Sequence, residues 1–295
     1  TMDPDYYAAV IDVFVKLHRK GVIYRGKRMI NWDVKAQTAL SDEEVIRKET
    51  KQQLYHIRYQ IEGTDEGITI ATVRPETIMG DTAICVHPND ARYQHLHGKR
   101  ALIPLINRSI PIITDEYVTM EFGTGALKVT PAHDMNDYQL GQKHNLDIVD
   151  VLNDDGTMSE DAQLYIGEDR FAARKKIAVA LEEKGFLVKK EDYTSEVGYS
   201  ERTDTVVEPR LSLQWWVSMP ALATPALKAV MEETIQFYPP KFKNLYRHWM
   251  ENIKDWCISR QLWWGQRIPA WYDAEGNMYV GETEQDAFEQ YKAVN

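Results

Sequence analysis

Residues 52 to 130 break into short runs that alternate or carry β-branched side chains, and each run is closed by a turn signal. The runs fall at 54–59, 67–72, 83–86, 100–105, 110–113 and 126–130. Strands this short and this closely spaced point to a compact barrel or sandwich rather than a doubly wound sheet. Helical patterns lie on either side of this stretch. Asp3 suits a helix N-cap, Pro4 the first turn and Gly21 the exit, with Tyr7, Val10, Ile11, Phe14 and Leu17 on one face. Further helices are predicted near 134–144, near 169–184 before Gly185, over 220–234 and over 244–256. In the last of these, Leu245, Trp249, Ile253 and Trp256 share a face. The fold class is therefore α+β, with a barrel-like centre and peripheral helices. Texture divides the chain into 1–50, 51–197 and 198–295.

A chain of 295 residues has room for about two domains at ~150 residues each. No apolar run approaches the ~18 residues of a membrane-spanning helix. The acidic start, Thr1-Met2-Asp3-Pro4-Asp5, is not a signal peptide, and a first residue other than Met suggests a piece of a longer protein. Cys85 and Cys257 lie far apart, which argues against a disulfide scaffold or a cysteine-ligated zinc and for a reducing, cytoplasmic setting. The net charge of −10 has the wrong sign for a non-specific nucleic-acid binder, so RNA contact needs a local patch. Residues 168–190 supply one candidate, where Arg170, Arg174, Lys175, Lys176, Lys184, Lys189 and Lys190 face four acids. A solvated helix face is the simpler explanation of them.

Three segments can carry chemistry. In Thr72-Val73-Arg74-Pro75-Glu76-Thr77, Pro75 biases Arg74 towards extended geometry at a strand exit. An always-charged guanidinium there suits a phosphate or carboxylate, while an ordinary Arg74–Glu76 pair in a turn is the competing reading. In the segment 122–137, Gly123 and Gly125 permit close backbone approach, and Asp134 reads as an N-cap with Asp137 in the first turn. Capping accounts for Asp134 but not for Lys128 inside an apolar strand or for His133 beside the cap. Two carboxylates three apart lie on one helical face and could grip an ammonium group. The third segment, Asp255 to Gly265, is dense in Trp, which more often means core or interface than chemistry. No Gly-x-Ser-x-Gly occurs, so a serine nucleophile has no support.

In this order, Arg74-Pro75-Glu76-Thr77 with Gly80-Asp81-Thr82-Ala83, then Thr130-Pro131-Ala132-His133-Asp134-x-Asn136-Asp137, then Gln261-Leu262-Trp263-Trp264-Gly265, the chain resembles class I aminoacyl-tRNA synthetases of the valyl type. The resemblance implies an editing domain over 51–197, flanked by fragments of the Rossmann-like catalytic region. The His-x-Gly-His and Lys-Met-Ser-Lys-Ser-like segments that class I catalysis uses for ATP are missing, so this stretch is not expected to activate valine. Residues 31–36 lack the cysteines of some relatives, and Gln266 stands where a His is usual. The resemblance implies no metal and no cofactor here, although the parent enzyme would use ATP and magnesium.

The implied activity is hydrolysis of Thr-tRNA(Val), with the threonine-bearing 3′ acceptor end of the tRNA and the rest of the synthetase as partners. Valyl enzymes are known to reject threonine by only about 100-fold at the synthetic site, because an apolar pocket cannot exclude a near-isostere. Asp137 would hold the α-ammonium with Asp134 in support, while Arg74 and Lys128 would meet the terminal adenosine, its phosphate or the ester. Thr72 and Thr77 would line the pocket, with Glu76 and His133 beside it and Phe122 stacking on adenine. A non-catalytic tRNA-docking module, or editing of the isoleucyl or leucyl type, are the alternatives.

Overall fold

Asp3 starts helix α1 (Pro4–Arg19) by accepting the backbone N–H groups of Asp5 and Tyr6. The helix fully buries Ile11 and Val15, whereas Tyr7, expected on the same face, lies a turn too early and stays exposed. The chain then enters strand β1 (Ile23–Asp33). This computed structural model describes residues 2–294, in two units. The larger is Met29–Leu211; the smaller joins the residues up to Arg28 with those from Ser212 onward. The stretch 51–197 lies wholly inside the larger unit.

In the larger unit, β2 (Thr38–Leu40) pairs antiparallel with the end of β1. A curled sheet follows, built from β3 (Val45–Ile61), β4 (Gly67–Thr72), β5 (Ala83–Val86), β6 (Arg100–Leu102), β7 (Ser109–Thr114) and β8 (Ala126–Val129). The order is β4-β3-β6-β7-β5-β8, and only β5 and β7 pair in parallel. Its two end strands, β4 and β8, approach each other, so the sheet is a half-barrel. Alternation explains its inside: Tyr55, Ile57, Tyr59 and Ile61 of β3 are buried, while His56, Arg58 and Gln60 are less so.

Strand β5 is buried along its whole length, which is why 83–86 reads as an unbroken apolar run. Ile84 and Val86 join the barrel interior, and Ala83 and Cys85 join Val129 and Leu140 in a second cluster. Leu140 belongs to α2 (Met135–Lys143). Helix α3 (Arg170–Glu183) lays Ala173, Ile177 and Leu181 on the interior cluster, and Gly185 follows with a left-handed φ of 74°.

Strand β3 begins nine residues before the predicted 54, because it pairs with a strand that periodicity does not reveal, β9 (Leu187–Ser200). The ribbon runs from Val45↔Ser200 to Ile57↔Leu187. Most of β9 is polar and only Ser200 is fully buried, so backbone pairing rather than an apolar face holds it.

The chain returns through β10 (Glu208–Val217) into the smaller unit. That unit adds α4 (Met219–Met231), α5 (Phe242–Glu251), β11 (Trp256–Cys257), β12 (Ala270–Tyr272), β13 (Met278–Val280) and α6 (Glu284–Val294). Its core is Ile11, Val15, Ile23, Trp215, Val217 and Val280, with Phe14 edge-on to Trp215 at 5.2 Å. The Trp-rich stretch does not form core here. Helix α5 stops at Glu251 and fully buries nothing; Trp249 and Trp256 are more than half exposed and Trp263 is entirely so. Helical spacing identifies an apolar stripe without saying what covers it, and the tryptophans that pack are Trp215 and Trp216 on strand β10.

Candidate functional site

A buried lysine organises one side of the half-barrel. Lys128, on β8 opposite Ile84, keeps only 11% of its side chain exposed. Its Nζ lies 3.1 Å from Asp81 Oδ1 and 3.2 Å from Thr77 Oγ1, and it also donates to Thr130 Oγ1. Asp81 is fully buried and accepts Tyr59 OH and Thr130 Oγ1, each at 2.6 Å. Burial pushes the Asp81 carboxyl above its ordinary range, with Lys128 pulling the other way. The short 3₁₀ turn Pro75–Gly80 delivers both Thr77 and Asp81. Gly80 is needed there, since a Cβ would come within 2.9 Å of the Val149 carbonyl and 3.1 Å of Thr130 Cγ2. Arg108 clamps the same turn by donating to the Met79 and Asp81 carbonyls, each at 2.7 Å.

Thr130 links this cluster to α2. Its N–H donates to Asp137 Oδ2 at 2.9 Å, while its hydroxyl serves Asp81. Asp134 is the helix N-cap, accepting Asn136 N–H at 2.8 Å and Asp137 N–H at 3.0 Å, and remains exposed. Asp137 is buried, and burial pushes its carboxyl up to about 7, with Lys128 opposing the shift and Asp134 adding to it. The two carboxylates thus differ: one completes a helix end, and the other is a poised acid beside a lysine.

Arg74 sits in a different setting. Its Nε is 3.3 Å from Glu76 Oε1, its Nη1 donates to the His133 carbonyl at 3.1 Å, and its Nη2 pairs with Glu208. Burial would lower its pKa, but Glu208 and Glu76 more than reverse this. Glu76 is fully buried and held from its other side by Arg174, at 2.7 and 2.8 Å. Burial would raise its carboxyl, yet the two arginines bring it below the ordinary range. Thr72 Oγ1 accepts the Arg74 N–H at 3.0 Å. The Arg74–Glu76 turn pair weighed from sequence is therefore present, as part of a larger network.

The His133 ring turns away from this cluster, its Nε2 accepting Val151 N–H at 3.0 Å. Burial, with Arg74 and Lys128 nearby, drives its pKa well below 6.5, so it is a neutral tie between α2 and the segment after it. Phe122 is 75% exposed on the turn 119–125. Arg92 straps that turn by donating to Met120 O at 2.6 Å, as does Tyr93 OH to Thr124 O at 2.6 Å.

Asp81 and Thr130 stand in the motifs that carry the resemblance but have no role assigned there, and Tyr59 is read only as part of a strand; a lysine in an apolar strand demands a buried carboxylate, and that demand is a legible signal. Glu208, far along the chain from Arg74, gives no such signal. Arg170 and Arg174, counted towards a basic face, point inward: they stand four apart on α3 and meet Glu208 and Glu76. The candidate RNA patch is smaller by those two charges. Among the described residues no helix is long and apolar enough to cross a membrane, and no group of three or more His, Cys, Asp or Glu could hold a metal ion.

Residues 1–294 match the family of tRNA synthetases class I (I, L, M and V). The chain is 60% identical over 292 residues to a valine–tRNA ligase of Parabacteroides distasonis, covering 99% of this chain and 33% of that protein. It is 60% identical over 287 residues to the Bacteroides fragilis valine–tRNA ligase, covering 97% of this chain and 33% of that protein. The Bacillus subtilis valine–tRNA ligase is 55% identical over 283 residues, covering 95% of this chain and 32% of that protein. The chain thus spans about a third of the length of these relatives. Among solved structures, an Agrobacterium radiobacter K84 LeuRS–tRNA–LeuAMS complex matches at 20% identity and a TM-score of 0.39, over 95% of this chain and 37% of that one. On the strength of the family match along almost its whole length, the chain belongs to the class I tRNA synthetases of the isoleucyl, leucyl, methionyl and valyl group.

Proposed function

We propose that the half-barrel unit is an editing module that hydrolyses Thr-tRNA(Val) within a parent valine–tRNA ligase. The observation that carries this reading is the chain of contacts Thr77–Lys128–Asp81–Thr130–Asp137, which joins a half-barrel lysine to a buried carboxylate at the start of α2. A 3′-aminoacyl ester offers each of them a partner. Its α-ammonium suits Asp137, and binding a cation would draw that carboxyl back to its charged form. Its carbonyl oxygen suits Lys128, whose charge is worth most where negative charge develops as water adds to the ester.

Water attacks the carbonyl carbon, the tetrahedral intermediate collapses, and the C–O bond to the ribose breaks. The proton lost by water is taken up by the departing ribose oxygen, giving free threonine and tRNA(Val). The neighbouring ribose hydroxyl of the tRNA helps to place the water, and no covalent enzyme intermediate forms. Thr72 and Thr77 line the pocket, Arg74 contacts the phosphodiester side of the terminal adenosine, and Phe122 stacks on its base. Threonine is chosen over valine because a methyl in place of the hydroxyl would leave buried polar groups unpaired.

The test is deacylation by the purified chain. Thr-tRNA(Val) should be cleared at least ~100-fold faster than Val-tRNA(Val), a margin that hydroxyl recognition in a polar site can supply. Binding without hydrolysis would indicate a docking module, and preferential clearance of another mischarged tRNA would indicate a relative's specificity.

A further inference from the structure

Five buried or half-buried charges alternate in sign through the larger unit: Arg170, Glu208, Arg74, Glu76 and Arg174. Arg170 Nε lies 2.7 Å from Glu208 Oε1, and the other carboxylate oxygen of Glu208 takes Arg74 Nη2. Arg170 keeps 2% exposure and Glu208 4%. Behind them, Arg170 Nη2 donates to the Val206 carbonyl at 3.0 Å, and the Phe171 ring sits 4.4 Å from the Arg170 guanidinium and 5.0 Å from that of Arg174. Gly156 beside this assembly has a left-handed φ of 79°, which favours glycine, and a Cβ there would also crowd Arg170 Nη1.

Arg74 is the middle rung. Three different nitrogens reach three different acceptors, Glu76, His133 O and Glu208, which together fix the plane of its fork. Glu76 lies two residues away and His133 belongs to the motif before α2, so both are local to the site. Glu208 is not: it opens β10, and Arg170 on α3 holds it. A buried network of this kind adds little stability over well-packed apolar side chains, so its geometric effect on Arg74 is its distinctive consequence.

We infer that Glu208, backed by Arg170, is a positioning residue that fixes the Arg74 guanidinium for the phosphodiester side of the substrate's terminal adenosine. The inference rests on the proposed function for the identity of the substrate, but not for the orientation of Arg74.

Glu208→Gln keeps the shape of the side chain and removes its charge. It should raise KM for Thr-tRNA(Val) by about tenfold with kcat kept within about twofold, since positioning is lost and the reacting groups are not. In an Arg74→Lys background the same change should add less than about twofold, because the fork it positions is gone. The Arg74 Nε–H resonance, assigned by its loss in Arg74→Lys, should be sharp in the unaltered chain and broadened in Glu208→Gln. If Glu208→Gln does not fold, Arg170→Gln/Glu208→Gln removes opposite charges together and takes its place. Equal loss in both Arg74 backgrounds, or an unchanged Arg74 resonance, would overturn the inference. Failure of the unaltered chain to clear Thr-tRNA(Val) would instead overturn the functional reading, leaving the resonance to decide the orientation of Arg74.

Discussion

The half-barrel contains two polar clusters, and they handle buried charge in opposite ways. Around Arg74, each carboxylate lies between two guanidiniums, and Glu76 sits below its ordinary pKa despite total burial. Around Lys128, one ammonium pairs with Asp81 while Arg108 spends its donors on the Met79 and Asp81 backbone carbonyls, and both Asp81 and Asp137 sit above theirs. In the first cluster both carboxylates are doubly paired and one positive charge is left over; the second is short of positive charge. A site that awaits a cationic substrate group should look like the second, and a scaffold that orients one arginine should look like the first.

Breaking the Arg74 cluster should have the largest effect, and the effect should be on stability. Glu76→Ala strands the Arg174 guanidinium and takes one of two carboxylates from Arg74, and should cost about 3–5 kcal/mol in chemical denaturation. Any activity it loses should follow the fraction unfolded. Asp137→Asn tests the other cluster. The amide oxygen can still accept the Thr130 N–H, so melting at pH 8 should hold or rise, while Thr-tRNA(Val) hydrolysis should fall by about 100-fold with the loss of a charge-assisted contact. A drop in melting temperature with a proportionate drop in activity would return Asp137 to a structural role.

The two clusters should also respond to pH with opposite sign. Asp137 titrates at about 7 in the folded chain against 3.8 ordinarily, so between those values the folded state holds a proton the unfolded state has released. Its contribution to stability therefore falls as pH climbs through that window, and the stability of the unaltered chain relative to Asp137→Asn should decline from pH 5 to pH 8. Glu76 is shifted down from 4.5, so its contribution is present above that value and disappears on acidification through its lower folded value. The advantage of the unaltered chain over Glu76→Gln should accordingly persist at neutral pH and shrink in acid. The same sign for both residues in thermal melts across this range would remove the distinction.

Phe122→Ala should have the smallest effect. The side chain is exposed on a strapped turn, so stability should not change. Loss of one base-stacking contact, about 1 kcal/mol at the low end, should raise KM for the tRNA substrate several-fold. An unchanged KM would remove Phe122 from the binding surface.

Sequence reveals these parts unevenly, for physical reasons. The α1 cap at Asp3, the α2 cap at Asp134 and the buried run at 83–86 are local facts, written in capping chemistry and hydropathy. Strand β9 is not, because a polar strand held by backbone pairing carries no apolar period. The pairing of Arg74 with Glu208 joins positions 134 residues apart, which one sequence cannot disclose. The α5 stripe shows the limit from the other side: Trp249 has helical spacing and no cover.

The most direct measurement compares Thr-tRNA(Val) with its Nα-acetyl form, which has the same ester and no α-ammonium, in the unaltered chain and in Asp137→Asn. If Asp137 awaits that cation, acetylation should slow the unaltered chain by about 100-fold and leave the variant's already low rate unchanged, since the same charge-assisted contact is removed from either side. Equal slowing of both proteins by acetylation, or fast hydrolysis of the acetylated ester by the unaltered chain, would contradict the account.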